Sequence, residues 1–206
     1  MKPRVKVCGV RLVEDAQFAS GIGAKYIGCV LASDSPRCAT LAEVRAIASA
    51  LNDHAELVLV FRNAAVTTVL DASRATGITS VQPHGMDAAG ADALKSAGCR
   101  VFRVYSIAAG ASDLPALNPL PTPDEPAVLD VGQGGSGTPF DWQLLGQNAP
   151  DGLLIAGGIS PDNVAQLLVH NPFGIDVSSG VESAPGIKDH DRLRRLFDAL
   201  EDVHAT

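Results

Sequence analysis

The feature that most limits what this chain can fold into is a repeated local pattern, a short apolar run followed by a connecting stretch, eight times over. The runs are Val5–Gly9, Tyr26–Leu31, Leu57–Arg62, Ser80–Gln82, Val101–Tyr105, Ala127–Asp130, Gly152–Ala156 and Ile175–Ser178. Each is too short for a typical helix and apolar on successive residues, the pattern of strands covered on both faces. Between them, helical spacing of apolar residues covers Val13–Ser20, Leu41–Leu51, Ala65–Ala75, Ala88–Ser96, Phe140–Leu145, Asp162–Leu168 and His190–Val203. Glu14 and Asp15 fall in a first turn, where carboxylates suit the helix dipole. Ser160-Pro161-Asp162 reads as a cap followed by proline at the first helical position. Ala108–Pro126 carries five prolines, so an irregular connection is expected in place of the fifth helix.

Strands joined by crossovers run parallel, which leaves a barrel closed on itself or an open, doubly wound sheet. No Gly-x-Gly-x-x-Gly follows the first run, and polar and glycine residues instead collect at the C-terminal ends of several runs. The expectation is therefore an α/β fold, a single (β/α)8 barrel over residues 1–206, with no composition break to mark a second domain.

Charge and cysteine usage narrow the partners. A net charge of −7 with 4% aromatic residues and no Lys/Arg cluster gives no footprint for nucleic acid. No run reaches the roughly 18 apolar residues of a membrane span, and the apolar part of Met1–Val5 is too short for a signal peptide. Cys8, Cys29, Cys38 and Cys99 show neither a CxxC pair nor metal-ligand spacing. A cytoplasmic protein with reduced thiols and neither metal nor cofactor is expected, as a monomer or weak homodimer.

Candidate site residues sit at the ends of the runs. Cys8 precedes Gly9 at a barrel mouth, where a thiolate accepts a proton, or where the side chain is only a small filler. Lys6 shares its face and would favour the thiolate, unless it is paired inside the barrel. Asp130 ends the sixth run, as a functional carboxylate or as a turn former. Beyond it, Gly134, Gly135, Ser136 and Gly137 suit a loop that closes over a ligand. Gly157 and Gly158 follow the seventh run and Ser178, Ser179 and Gly180 the eighth, the two places where such barrels commonly bind phosphate. The Arg37 of Ser35-Pro36-Arg37 suits a carboxylate, or stays a solvated surface residue. Gln82 and His84 flank Pro83 at the fourth run's end, and Asp176 is set to bind sugar hydroxyls or to order the last loop. Cys29, Cys38 and Cys99 are assigned to packing.

Together these pieces resemble the N-(5'-phosphoribosyl)anthranilate isomerase family of tryptophan biosynthesis. The matching segments are Lys6–Val10, Ser35–Arg37, Val81–Gly85, Leu129-Asp130, Gly134–Gly137 with Phe140–Trp142, Ala156–Ile159, Asp176–Glu182 and Pro185–Asp189, in family order. The resemblance implies an Amadori rearrangement of N-(5-phosphoribosyl)anthranilate to the 1-amino-1-deoxyribulose phosphate. It implies Cys8 as general base, Asp130 as general acid, Arg37 on the anthranilate carboxylate and the last two loops on the phosphate. The chain departs from the family pattern at Arg11, Cys29, Arg62 and Pro83, none of them an implied catalytic position. Two alternatives are another phosphosugar isomerase or epimerase on this barrel, disfavoured by Arg37, and a non-catalytic binder, disfavoured by Cys8 with Asp130.

Overall fold

A computed structural model describes residues 2–51, 55–108, 110–131 and 139–202. The parallel strands are β1 (Arg4–Cys8), β2 (Tyr26–Val30), β3 (Glu56–Arg62), β4 (Ser80–His84), β5 (Arg100–Val101), β6 (Arg103–Ile107), β7 (Ala127–Val131), β8 (Leu153–Ala156) and β9 (Gly174–Val177). Their order in the sheet is β5-β4-β3-β2-β1-β9-β8-β7-β6. β5 and β6 are one run of chain interrupted at Phe102, whose N–H reaches the Val81 carbonyl of β4 at 2.8 Å. β5 pairs with β4, and β6 pairs with β7. The two ends of the sheet are thus consecutive pieces of chain, and the sheet closes as the expected barrel of eight strand positions.

Pairing register gives the barrel one parity. Lys6 lies opposite Tyr26 and Asp176, Val60 opposite Gln82, Arg62 opposite His84, and Ser106 opposite Asp130. Strand side chains alternate faces, so even-numbered residues point inward on every strand. Tyr26, Val58, Phe102, Val128, Leu154 and Ala156 fill the interior as their own apolar cluster. Odd positions such as Val5, Val7, Ile27, Leu59 and Ile155 join a larger cluster beneath the helices.

The helices are α1 (Val13–Gly21), α2 (Leu41–Ala50), α3 (Val66–Thr76), α4 (Ala88–Ser96), α5 (Val164–Leu168) and α6 (His190–Asp202). At α2 the Thr40 hydroxyl accepts the Glu43 N–H while the Glu43 carboxylate accepts the Thr40 N–H, a reciprocal cap. No helix among the described residues is long and apolar enough to cross a membrane.

Two expectations need correction, and one element was not expected. Phe140–Leu145 forms only a 3-10 turn over Trp142–Leu145, because Asp141 caps it at one end and Gly146, at φ 65°, turns the chain away at the other. α5 opens at Val164 and not at Asp162; the Ser160 side chain makes no cap, and the Asn163 carboxamide accepts the Ser160 N–H at 2.8 Å. After β9 a 3-10 turn, Ser179–Val181, leads into an unforeseen hairpin of β10 (Glu182–Ala184) and β11 (Ile187–Lys188). No helix forms among the described residues of Ala108–Pro126, as the prolines require.

Candidate active site

The C-terminal ends of the strands surround a cleft lined by Cys8, Arg62, His84, Asp130, Asp176 and Ser178, among others. The even parity brings them there. Lys6 is fully buried below Cys8, and its ammonium donates to Asp176 Oδ2 at 2.8 Å. Burial alone would lower the lysine, but Asp176 and then Cys8 together outweigh it and raise it, so Lys6 stays charged. Gly28 makes this possible: a Cβ there would stand 2.9 Å from Cys8 Sγ and 3.2 Å from Lys6 Nζ. Burial nevertheless pushes the Cys8 thiol up, and the nearby Lys6 moderates that rise without reversing it.

Asp130 is the last inward residue of β7, three strand positions from β1. Its Oδ1 accepts the Val131 N–H at 2.8 Å. Burial, reinforced by the Asp176 carboxylate, raises Asp130 to about 6. His84 is driven the other way, to about 4, by burial and then by Lys6 and Arg62. Its neutral ring therefore accepts from the Gln82 amide, Nε2 to Nε2 at 2.8 Å. Gln82 Oε1 and Asp176 Oδ1 are buried without a partner among the described residues.

Arg37 comes from the turn after β2, where its N–H meets the Ser35 hydroxyl at 3.2 Å. Its Nε and Nη2 grip the Glu182 carboxylate at 2.7–3.0 Å. Lys188 donates to the same carboxylate at 2.8 Å and to the Cys8 carbonyl at 2.6 Å. Burial would raise Glu182, but Arg37 and Lys188 together hold it below the usual carboxylate range. Gly9, at φ 75°, leaves room for this arrangement, since a Cβ there would lie 2.6 Å from Arg37 Cδ. Glu182 and Lys188 were missed as site residues by the sequence reading, although both lie within its matching segments. Their only signal was a charged pair six residues apart beside the last loop.

The turns after β8 and β9 meet each other. Gly157 and Gly158 have φ of 94° and 64°, the left-handed region that favours glycine. Gly180 packs on that loop so closely that a Cβ would lie 2.0 Å from the Ile159 carbonyl oxygen. Asn163 fixes the loop from behind, its amide donating to the Gly158 carbonyl at 2.8 Å while its oxygen takes the Ser160 N–H. Gly157, Gly158, Ser178 and Ser179 face the same cleft as Cys8 and Asp130. Gly134, Gly135, Ser136 and Gly137 lie outside the described residues. Cys29 and Cys99 are buried as expected, whereas Cys38 is only partly so.

Comparison with known proteins gives a consistent answer. The family model described as N-(5'phosphoribosyl)anthranilate (PRA) isomerase matches residues 5–199. The chain is 38% identical over 199 residues to the Tryptophan biosynthesis protein TrpCF of Yersinia pestis, covering 95% of this chain and 40% of that protein. It thus spans about 40% of the length of the TrpCF relatives it matches. An N-(5'-phosphoribosyl)anthranilate isomerase of Myxococcus xanthus is 35% identical over 99% of both chains. Among solved structures, phosphoribosyl anthranilate isomerase from Thermus thermophilus superposes with a TM-score of 0.83 at 31% identity, covering 97% of this chain and 99% of that one. A phosphoribosyl anthranilate isomerase in complex with reduced 1-(o-carboxyphenylamino)-1-deoxyribulose 5-phosphate gives 0.80 at 27% identity over the same shares.

Proposed function

The chain belongs to the N-(5'-phosphoribosyl)anthranilate isomerase family, and on that premise we propose that it carries out the family's aldose–ketose rearrangement in tryptophan biosynthesis. The substrate is N-(5-phosphoribosyl)anthranilate and the product 1-(2-carboxyphenylamino)-1-deoxyribulose 5-phosphate. The observation that carries the reading is one cleft holding a thiol beside a buried ammonium, a raised carboxyl across the mouth, and paired glycine turns after β8 and β9.

Protonated Asp130 gives its proton to the furanose ring oxygen, and the C1–O bond breaks to leave an iminium. The Cys8 thiolate removes the C2 proton, giving an enolamine that tautomerises to the ketone. Lys6 offsets the negative charge on sulfur. Gly157, Gly158, Ser178, Ser179 and Gly180 hold the phosphate through backbone N–H groups, and Asp176 and Gln82 accept from sugar hydroxyls. His84, neutral, lines the far side. Arg37 offers the nitrogen that Glu182 leaves free to the anthranilate carboxylate. A cytoplasmic location and a monomeric or weakly dimeric state go with this reading.

Freshly prepared phosphoribosylanthranilate is fluorescent, and its decay should accelerate in proportion to added protein. Decay at the uncatalysed rate would refute the proposal.

A further inference from the structure

We propose that Arg62 is a further specificity-determining residue that reads the substrate's aryl carboxylate alongside Arg37, from the side of the mouth opposite the phosphate. The inference rests on the isomerase reading above. Counting round the barrel, β3 and β8 are four strand positions apart in either direction, so they face each other. A ligand whose phosphate lies at the turns after β8 and β9 therefore extends its other end toward β3 and β4. Arg62 is the last inward residue of β3, and it lines the cleft above Val60, with Val30 beside it. Those two valines offer an apolar wall to an aromatic ring.

The end of β3 is fixed. Asn63 turns into the left-handed region at φ 49°, and its N–H binds the His84 carbonyl at 2.8 Å. The guanidinium beyond that anchor is held by little. Its Nη1 meets Asp34 Oδ2 at 3.1 Å, and the Asp34 side chain is 66% exposed. An ion pair this wet is worth little and yields readily to a competitor. Of the other cations near the cleft, Lys6 is committed to Asp176 and Lys188 to Glu182, while Arg37, with its Nε–Nη2 edge on the same Glu182, keeps one nitrogen for the carboxylate and leaves the rest of it to a second guanidinium. Arg62 thus has the planar fork a carboxylate matches and a partner it can exchange.

The test measures binding by titration calorimetry, using reduced 1-(o-carboxyphenylamino)-1-deoxyribulose 5-phosphate and its counterpart lacking the ring carboxylate. Arg62→Ala should weaken the first about 10- to 100-fold, the usual worth of a charge-assisted contact, while affinity for the second and for inorganic phosphate stays at the parent value. Arg62→Lys, which keeps the charge but not the fork, should fall between. Equal losses on both analogues, or an undiminished preference for the carboxylated one, would overturn the assignment alone. A parent protein that binds neither analogue would overturn the isomerase reading and Arg62's role with it. Because its one ion-pair partner among the described residues, Asp34, is largely exposed, the variant's thermal midpoint should stay close to the parent's.

Discussion

Burial raises both the Cys8 thiol and the Asp130 carboxyl, yet the chemistry needs the first charged and the second neutral. With the acid near 6 and the base well above it, the productive form grows with pH until Asp130 titrates. It then holds level while loss of the acid cancels gain of the base, and falls once Cys8 is fully ionised. The lower break of kcat/KM should therefore lie near 6 and belong to the acid, the reverse of the usual assignment. Asp130→Asn should remove that break, leaving a single rise to the thiol's own titration, with activity lowered at least about 100-fold. A lower break that survives in the variant would place the titrating group elsewhere. Glu182 offers a second test, as a positioning residue for Arg37. Glu182→Gln keeps the shape but not the charge, so KM should rise about tenfold while kcat changes little. Stability should fall by roughly 3 kcal/mol in urea unfolding, since a buried lysine loses its counter-charge. A kcat loss with KM unchanged would contradict a positioning role.

Among the elements, the strands and their loops differ in how openly the sequence announced them. The cleft positions of Cys8 and Asp130 were legible because an apolar run that stops at a polar residue marks a barrel mouth. The Arg37–Glu182–Lys188 assembly was not, because it joins a turn after β2 to a hairpin some 145 residues later. No local pattern encodes such a pairing. Asn163 was hidden for a related reason: a polar residue before a helix reads as its cap, whereas this one braces the preceding loop. Asn163→Ala should therefore loosen the turn after β8. Affinity for inorganic phosphate should fall about three- to tenfold, from two lost half-buried hydrogen bonds worth about 1 kcal/mol or less each. Unchanged phosphate inhibition would show that the brace is dispensable. Gly28→Ala tests the opposite wall, since its methyl group would displace Cys8 Sγ or Lys6 Nζ. Turnover should drop at least tenfold with phosphate affinity intact, measured by the same fluorescence decay and by phosphate competition.

For the whole molecule, closure rests on a strand that changes partners in its middle. Phe102 is wholly buried at that point and meets Tyr26 edge-on, ring centroids 5.2 Å apart. Phe102→Ala should cost about 3–5 kcal/mol in chemical denaturation, a large cavity in an interior that cannot collapse around it. A loss under 1 kcal/mol would mean the interior is less tightly filled than its burial implies. The eightfold count was readable from the alternation of runs, but the division of the fifth was not, because Val101–Tyr105 looks continuous in apolar character. The shared parity of the strands has a further bearing on how such a chain can diverge. Insertion or loss of one residue inside β1, between Lys6 and Cys8, would leave composition almost untouched yet turn one of the two toward the helices. Lineages descending from this sequence are accordingly free to change length in the connections, while inside each strand they are confined to substitution.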